Sequence, residues 1–103
     1  MSDRVFVVVW EFRVRPGRET EFEERYGPDG DWARLFRLGD GYEGTALLRD
    51  VKDAGRYVVT DTWRDAAAYD AFQQRHAEAY KTLDAECAVL TLEEQRVGAF
   101  ETV

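Results

Sequence analysis

The stretch from Asp61 to Tyr80 holds two side chains able to act as a general base: the Asp61 carboxylate and the imidazole of His76, the only histidine in the chain. Asp61 stands two residues before Trp63, so an extended strand turns both to one face. A carboxylate desolvated beside an indole ionises late and takes a proton near neutral pH. The competing reading pairs Asp61 with an arginine at a sheet or dimer edge, and Glu11 has the same two readings. His76 has three: a hydrogen-bonded core residue, a pocket-lining donor or proton shuttle, or a ligand to metal or haem. One histidine and one cysteine, Cys87, do not complete a structural zinc site. No metal or cofactor is expected.

Many rings stand around these groups. Trp63, Tyr69, Phe72 and Tyr80 suit a flat aromatic ligand, and Arg75 is a candidate to stabilise an enolate or phenolate. Trp10, Trp32, Phe36, Tyr42 and Tyr57 bring further rings to a chain that is 14% aromatic. Large rings also dominate ordinary cores, so composition leaves both readings open. Cys87 reads as an inert buried thiol.

The 103 residues suffice for one domain, 1–103, with one core. A formal net charge of −7 argues against a nucleic-acid backbone or an anionic membrane surface as partner. No apolar run is long enough to span a membrane. Val5 to Trp10, near the N-terminus, is too short for a signal peptide, so the expected location is cytoplasmic. A lone cysteine forbids an intrachain disulfide, in keeping with a reducing compartment. The only serine, Ser2, lies at the terminus, which argues against a serine triad. Phosphate-loop, Rossmann and zinc-protease signatures are absent.

The elements that must position these groups follow from periodicity. Arg4 to Val14 reads as a strand, with Phe6, Val8, Trp10, Phe12 and Val14 on one face and Val5, Val7, Val9 and Glu11 on the other. After the break at "RPG", Phe22 and Tyr26 share one face of a short helix that stops near Gly27. Asp31 is a candidate cap for a second short helix burying Trp32, Leu35 and Phe36. Tyr42 to Asp50 and Arg56 to Trp63 read as strands joined by the turn "VKDAG", hence an antiparallel hairpin. From Asp65, a good N-cap, to about Val89 the residues Tyr69, Phe72, His76, Tyr80, Leu83 and Cys87 recur every three or four positions, the stripe of one long helix. Leu90 to Phe100 is the last strand.

The order β-α-β-β-α-β is the ferredoxin-like pattern: an α+β sandwich with helices on one face of a four-stranded antiparallel sheet. The first strand is apolar on both faces, and one copy of the chain has nothing to cover the second. The expected solution is a homodimer that closes the two open faces against each other.

In this order the motifs resemble the antibiotic biosynthesis monooxygenase family. "WEFRVRPGRETEFEERY" is similar to that family's opening strand, with its aromatic-x-V-x-P-G ending, and the acidic amphipathic helix after it. "GYEGTALLRD" and "RYVVTDTWRDAAAYDAF" resemble its second strand, its third strand ending in Trp, and the following helix. The resemblance covers nearly the whole chain and implies a protomer that pairs into a dimeric α+β barrel. Some members oxidise polycyclic anthrones to quinones with molecular oxygen and no prosthetic group. Trp and Tyr side chains near the end of the third strand and the start of the next helix line their pocket, and Trp63 and Tyr69 match those places. An asparagine that contributes in that branch has no counterpart, since this chain contains none. The haem-degrading branch uses an Asn on strand one, a Trp on the long helix and a His about ten residues on. Here the nearest positions are Phe72 and Thr82, with His76 only four residues from Phe72, so that pattern is not met.

The resemblance thus implies a cofactor-independent monooxygenase acting on a small aromatic or polyketide-like substrate, with His76 or Asp61 taking the proton. The alternative is a non-catalytic dimeric domain, ligand-binding or structural, whose gap between sheet and helices is filled by Trp10, Phe36, Phe72 and Tyr80.

Overall fold

The computed structural model describes residues 4–103, so Ser2 lies outside the described residues. The elements are β1 (Phe6–Val14), α1 (Glu19–Tyr26), α2 (Asp31–Phe36), β2 (Tyr42–Arg49), β3 (Arg56–Trp63), α3 (Ala66–Arg75), α4 (Ala77–Cys87), a 3-10 turn (Ala88–Leu90) and β4 (Thr91–Glu101). The strands form one antiparallel sheet in the order β2-β3-β1-β4. This is the ferredoxin-like α+β fold that the pattern predicts. No helix among the described residues is long and apolar enough to cross a membrane.

The period-2 alternation of β1 and β3 decides what faces the helices. Val8, Phe12 and Val14 of β1 and Tyr57, Val59 and Trp63 of β3 are buried on that side. Against them pack Phe22 and Tyr26 of α1, Trp32 and Phe36 of α2, Phe72 of α3, and Cys87. Rings meet mostly tilted or edge-on, as at Phe36–Phe72 (5.3 Å) and Trp63–Phe72 (5.2 Å), the arrangement that aromatic quadrupoles prefer. Cys87 is the buried thiol expected, and desolvation pushes its pKa up.

Two expectations need correction. The stripe of Tyr69 to Cys87 is not one helix. It breaks at His76, whose backbone (φ −114°, ψ 26°) leaves the helical region, although its N–H still donates to the Phe72 carbonyl at 2.9 Å. No proline or glycine marks the break, so periodicity reads straight through it. Nor does Asp31 cap α2. Gly30 occupies that place, and Asp31 binds Arg25 and Arg34 instead. Glycine is required at position 30 because a Cβ there would lie 2.4 Å from the Glu24 carbonyl oxygen. Asp65 does cap α3, its carboxylate accepting the Ala68 N–H at 2.8 Å. Gly41 (φ +96°) makes the turn into β2, and its carbonyl accepts the Arg64 N–H at 2.7 Å, which ties the end of β3 to that turn.

The other sheet face carries Val7 and Val9 of β1, Val58 of β3, Ala46 and Leu48 of β2, and Phe100 of β4, placed together by the register. Leu48 and Phe100 are about half exposed (54% and 51%). One end of this face is charged. There Arg56 binds Glu11 at 2.7 Å and Asp50 at 2.9 Å, which settles Glu11 as an ion-pair residue and holds its carboxyl below the usual range.

Candidate active site

A half-enclosed cavity of about 40 Å³ lies between the sheet and the helices. Its sheet wall is Val8, Trp10, Phe12, Val59 and Asp61. Facing it stand Trp32 and Phe36 of α2, Tyr69 of α3, and Tyr80 and Asp84 of α4, with Glu94 of β4 at the side. Two local features shape it. An extra residue of β4 between Gly98 and Arg96 shifts the ladder opposite Val9 and Trp10, a bulge of the kind that re-aims side chains. Trp10 is only half-buried, unlike Val8 and Phe12 beside it, because its ring faces the cavity.

Asp61 is 6% exposed and sits among these rings. Asp61 forms no ion pair with an arginine among the described residues of the protomer. Its partner is Thr45 on β2, directly opposite in the ladder, whose hydroxyl donates to Oδ1 at 2.7 Å. The Tyr42 hydroxyl meets the same Thr45 oxygen at 2.5 Å. Burial raises the Asp61 pKa from 3.8 to about 6, and the single Thr45 hydrogen bond only partly offsets it. Glu94 is also raised, first by burial and then by the nearby Asp84. Tyr69 and Tyr80 are pushed up by burial, so both stay protonated as hydroxyl donors at neutral pH. Among the described residues no lysine or arginine lines the cavity, while three carboxyl groups do.

The structure brings together Asp61, Tyr69 and Tyr80 of the residues singled out from the sequence. It does not bring His76 to them. His76, Arg75 and Phe72 border a different, more open groove between α3 and the turn at Gly39, Asp40 and Arg64, here the outer groove. The His76 ring packs against Phe72 with centroids 5.1 Å apart, and its buried Nε2 has no partner among the described residues. Helix geometry accompanies the separation: α3 ends at Arg75, and His76 leaves the helical region at its cap with its ring against Phe72. Trp63 does not line the cavity either. It is fully buried behind it, in edge contact with Tyr69 and Tyr42 at 5.6 and 5.3 Å. Sequence reasoning missed Thr45, Asp84 and Glu94. Thr45 was within reach of counting, because pairing outward from the "VKDAG" turn (Arg49 with Tyr57) places it opposite Asp61.

A family model for antibiotic biosynthesis monooxygenase matches residues 5–83. The chain belongs to that family. No curated protein matches the chain. Among solved structures, an asparagine-to-alanine mutant of SnoaB from Streptomyces nogalater, described as a cofactor-independent oxygenase, is 20% identical with a TM-score of 0.70, covering 99% of this chain and 93% of its own. PA3566 from Pseudomonas aeruginosa is 18% identical (TM-score 0.63, 99% and 94% covered). A conserved protein from Methanosarcina mazei is 12% identical (0.68, 97% and 92%). At these identities the likeness is one of fold. The chemistry of this monooxygenase-family domain has to be argued from its own cavity.

Proposed function

We propose that the chain is a cofactor-independent monooxygenase that oxidises a small, uncharged aromatic or polyketide-like substrate with molecular oxygen. The observation that carries this is Asp61: a buried carboxyl that opens onto an aromatic cavity, with its pKa raised to about 6, so that at neutral pH it is a carboxylate basic enough to take a proton. The ring-lined walls suit a flat substrate, and three lining carboxyl groups, with no lysine or arginine in the lining among the described residues, disfavour an anionic one.

In the reaction, Asp61 removes a proton from an acidic CH₂ or hydroxyl of the substrate. The resulting electron-rich anion reduces oxygen and combines with it. A CH₂ group then becomes C=O, with one oxygen atom entering the product and the other leaving as water, which takes up two protons in place of the two the CH₂ group gives up. Tyr69 and Tyr80 hold the substrate, and Trp63 supports Tyr69 from behind. His76, Arg75 and Phe72 stand in the outer groove and take no part in this step.

The functional unit is a homodimer. Val7, Val9, Leu48, Val58 and Phe100 make an apolar patch on the open sheet face, and a second copy is the natural cover for it. Oxygen uptake over a panel of anthrones and hydroxynaphthalenes tests the enzymatic reading. Turnover lost in Asp61→Asn supports it, and no turnover on any member of the panel removes it.

The cavity's size favours a second reading. At about 40 Å³ it is smaller than the roughly 150 Å³ that holds a benzene in an engineered protein cavity. A ring enters only by lying partly in the open mouth or by displacing Tyr80 or Trp10, both of them half-buried. A dimeric domain with a structural role needs no such entry. Ligand-free and ligand-soaked crystals separate the two, because a monooxygenase requires a ring seated in the mouth or in the space that Tyr80 or Trp10 vacates.

A further inference from the structure

Asp61 lies between two environments. On the β1 and β4 side of β3 is the cavity. On the other side is β2, an edge strand, whose Thr45 and Tyr42 take no part in lining the cavity. The bonds run in series from the buried carboxyl outward: Asp61 Oδ1 to Thr45 Oγ1 at 2.7 Å, then Thr45 Oγ1 to Tyr42 Oη at 2.5 Å. Tyr42 is half-buried at the start of the edge strand. A base enclosed with its substrate faces a problem of access, because a bound ligand plugs the mouth through which water would otherwise exchange the proton. Hydroxyl groups carry protons by reversing their hydrogen bonds, since each is both donor and acceptor.

We infer that Thr45 and Tyr42 form the route by which Asp61 exchanges its proton with solvent while the cavity is occupied. The inference rests on Asp61 being the base. With Asp61 ionised, Tyr42 donates to Thr45 and Thr45 donates to Asp61. When Asp61 is protonated, rotation of the two hydroxyls reverses both bonds: Asp61 donates to Thr45, Thr45 to Tyr42 and Tyr42 to water. A shift of one proton along each bond then releases one proton at the surface for each one taken up in the cavity, and leaves both hydroxyls in the starting arrangement. Thr45 is thereby a positioning residue that also sets the basicity of Asp61, and Tyr42 is the outlet. Trp63 and Phe36, packed on the Tyr42 ring at 5.3 and 5.7 Å, hold its hydroxyl on Thr45.

Two measurements on the full chain test this without following turnover. The first is the titration of the Asp61 carboxyl by carbon NMR, its resonance identified by its loss in Asp61→Asn. Thr45→Val raises the midpoint by about 1–2 pH units, the effect of removing a hydrogen bond to a charged group. Thr45→Ser, which keeps the hydroxyl, restores it. The second is the rate at which the infrared carbonyl band of protonated Asp61 grows after photorelease of acid, with the cavity filled by a hydroxynaphthalene. Tyr42→Phe removes the terminal hydroxyl and keeps the ring contacts, so it slows that rise by about tenfold or more while the midpoint stays near that of the parent. An unmoved midpoint in Thr45→Val, or an undiminished rate in Tyr42→Phe, overturns the route. Asp61→Asn retaining full oxygen uptake would instead remove the catalytic reading and leave these two results standing, so the two failures are distinguishable.

Discussion

Replacing Asp61 by asparagine should make the protein more stable, and only above a defined pH. In the folded chain burial lifts the Asp61 pKa from 3.8 to about 6. Between those two values the folded state keeps a proton that the unfolded chain has lost. Folding therefore takes up a proton in that window, and stability falls as pH rises through it. Below 3.8 both states are protonated and there is no penalty. Above 6 the penalty is complete and amounts to about 3 kcal/mol, roughly two pKa units at 1.36 kcal/mol each. Asparagine keeps an oxygen to accept the Thr45 hydroxyl and carries no charge to desolvate. The assay is urea unfolding of parent and variant at fixed protomer concentration, from about pH 4 to about pH 8, since association adds to apparent stability. The variant's advantage should grow by about 2–3 kcal/mol across that range, because the parent's penalty is already partly present at the acid end. Other carboxyl groups cancel in the difference. An advantage that is the same at both ends would refute the desolvated-base argument, and the proposed chemistry would lose its base.

Other outcomes follow from the same geometry. His76→Ala should leave oxygen uptake within about twofold of the parent, because a group acting from the outer groove has no contact with the reacting atoms. Loss of turnover comparable to that in Asp61→Asn would move the site. Asp65→Ala removes the cap of α3 and should lower stability by about 1 kcal/mol in urea unfolding, with the Asp61 titration unchanged. Phe100→Asp sets a charge on the open apolar face, opposite Val7, and should convert a dimer to a monomer at micromolar concentration by sedimentation. A parent that already sediments as a folded monomer would contradict the dimer.

The sequence by itself determined the element order, the antiparallel sheet and which residues of each strand share a face, while the structure decided which face meets the helices. Period-2 and period-3.6 patterns are local, and residues such as Phe12, Phe22, Val59 and Phe72 are buried as those patterns require. It also determined that β1 is apolar on both faces, the feature behind the homodimer proposal. Which inward groups share a cavity was decided only by the tertiary structure. His76 and Tyr80 are four residues apart on an apparently continuous stripe, yet the break at His76 sends one to the outer groove and the other to the cavity. Trp63 and Asp61 share a strand face, yet one is sealed in the core and the other opens onto the void. Thr45, Glu94 and Asp84 reach the site from three separate elements, through cross-strand register and helix packing. The physical reason is that periodicity fixes the side of an element a residue faces. The distance between two such residues, and so the dielectric around a carboxyl and the height of its pKa, depends on how whole elements settle against one another.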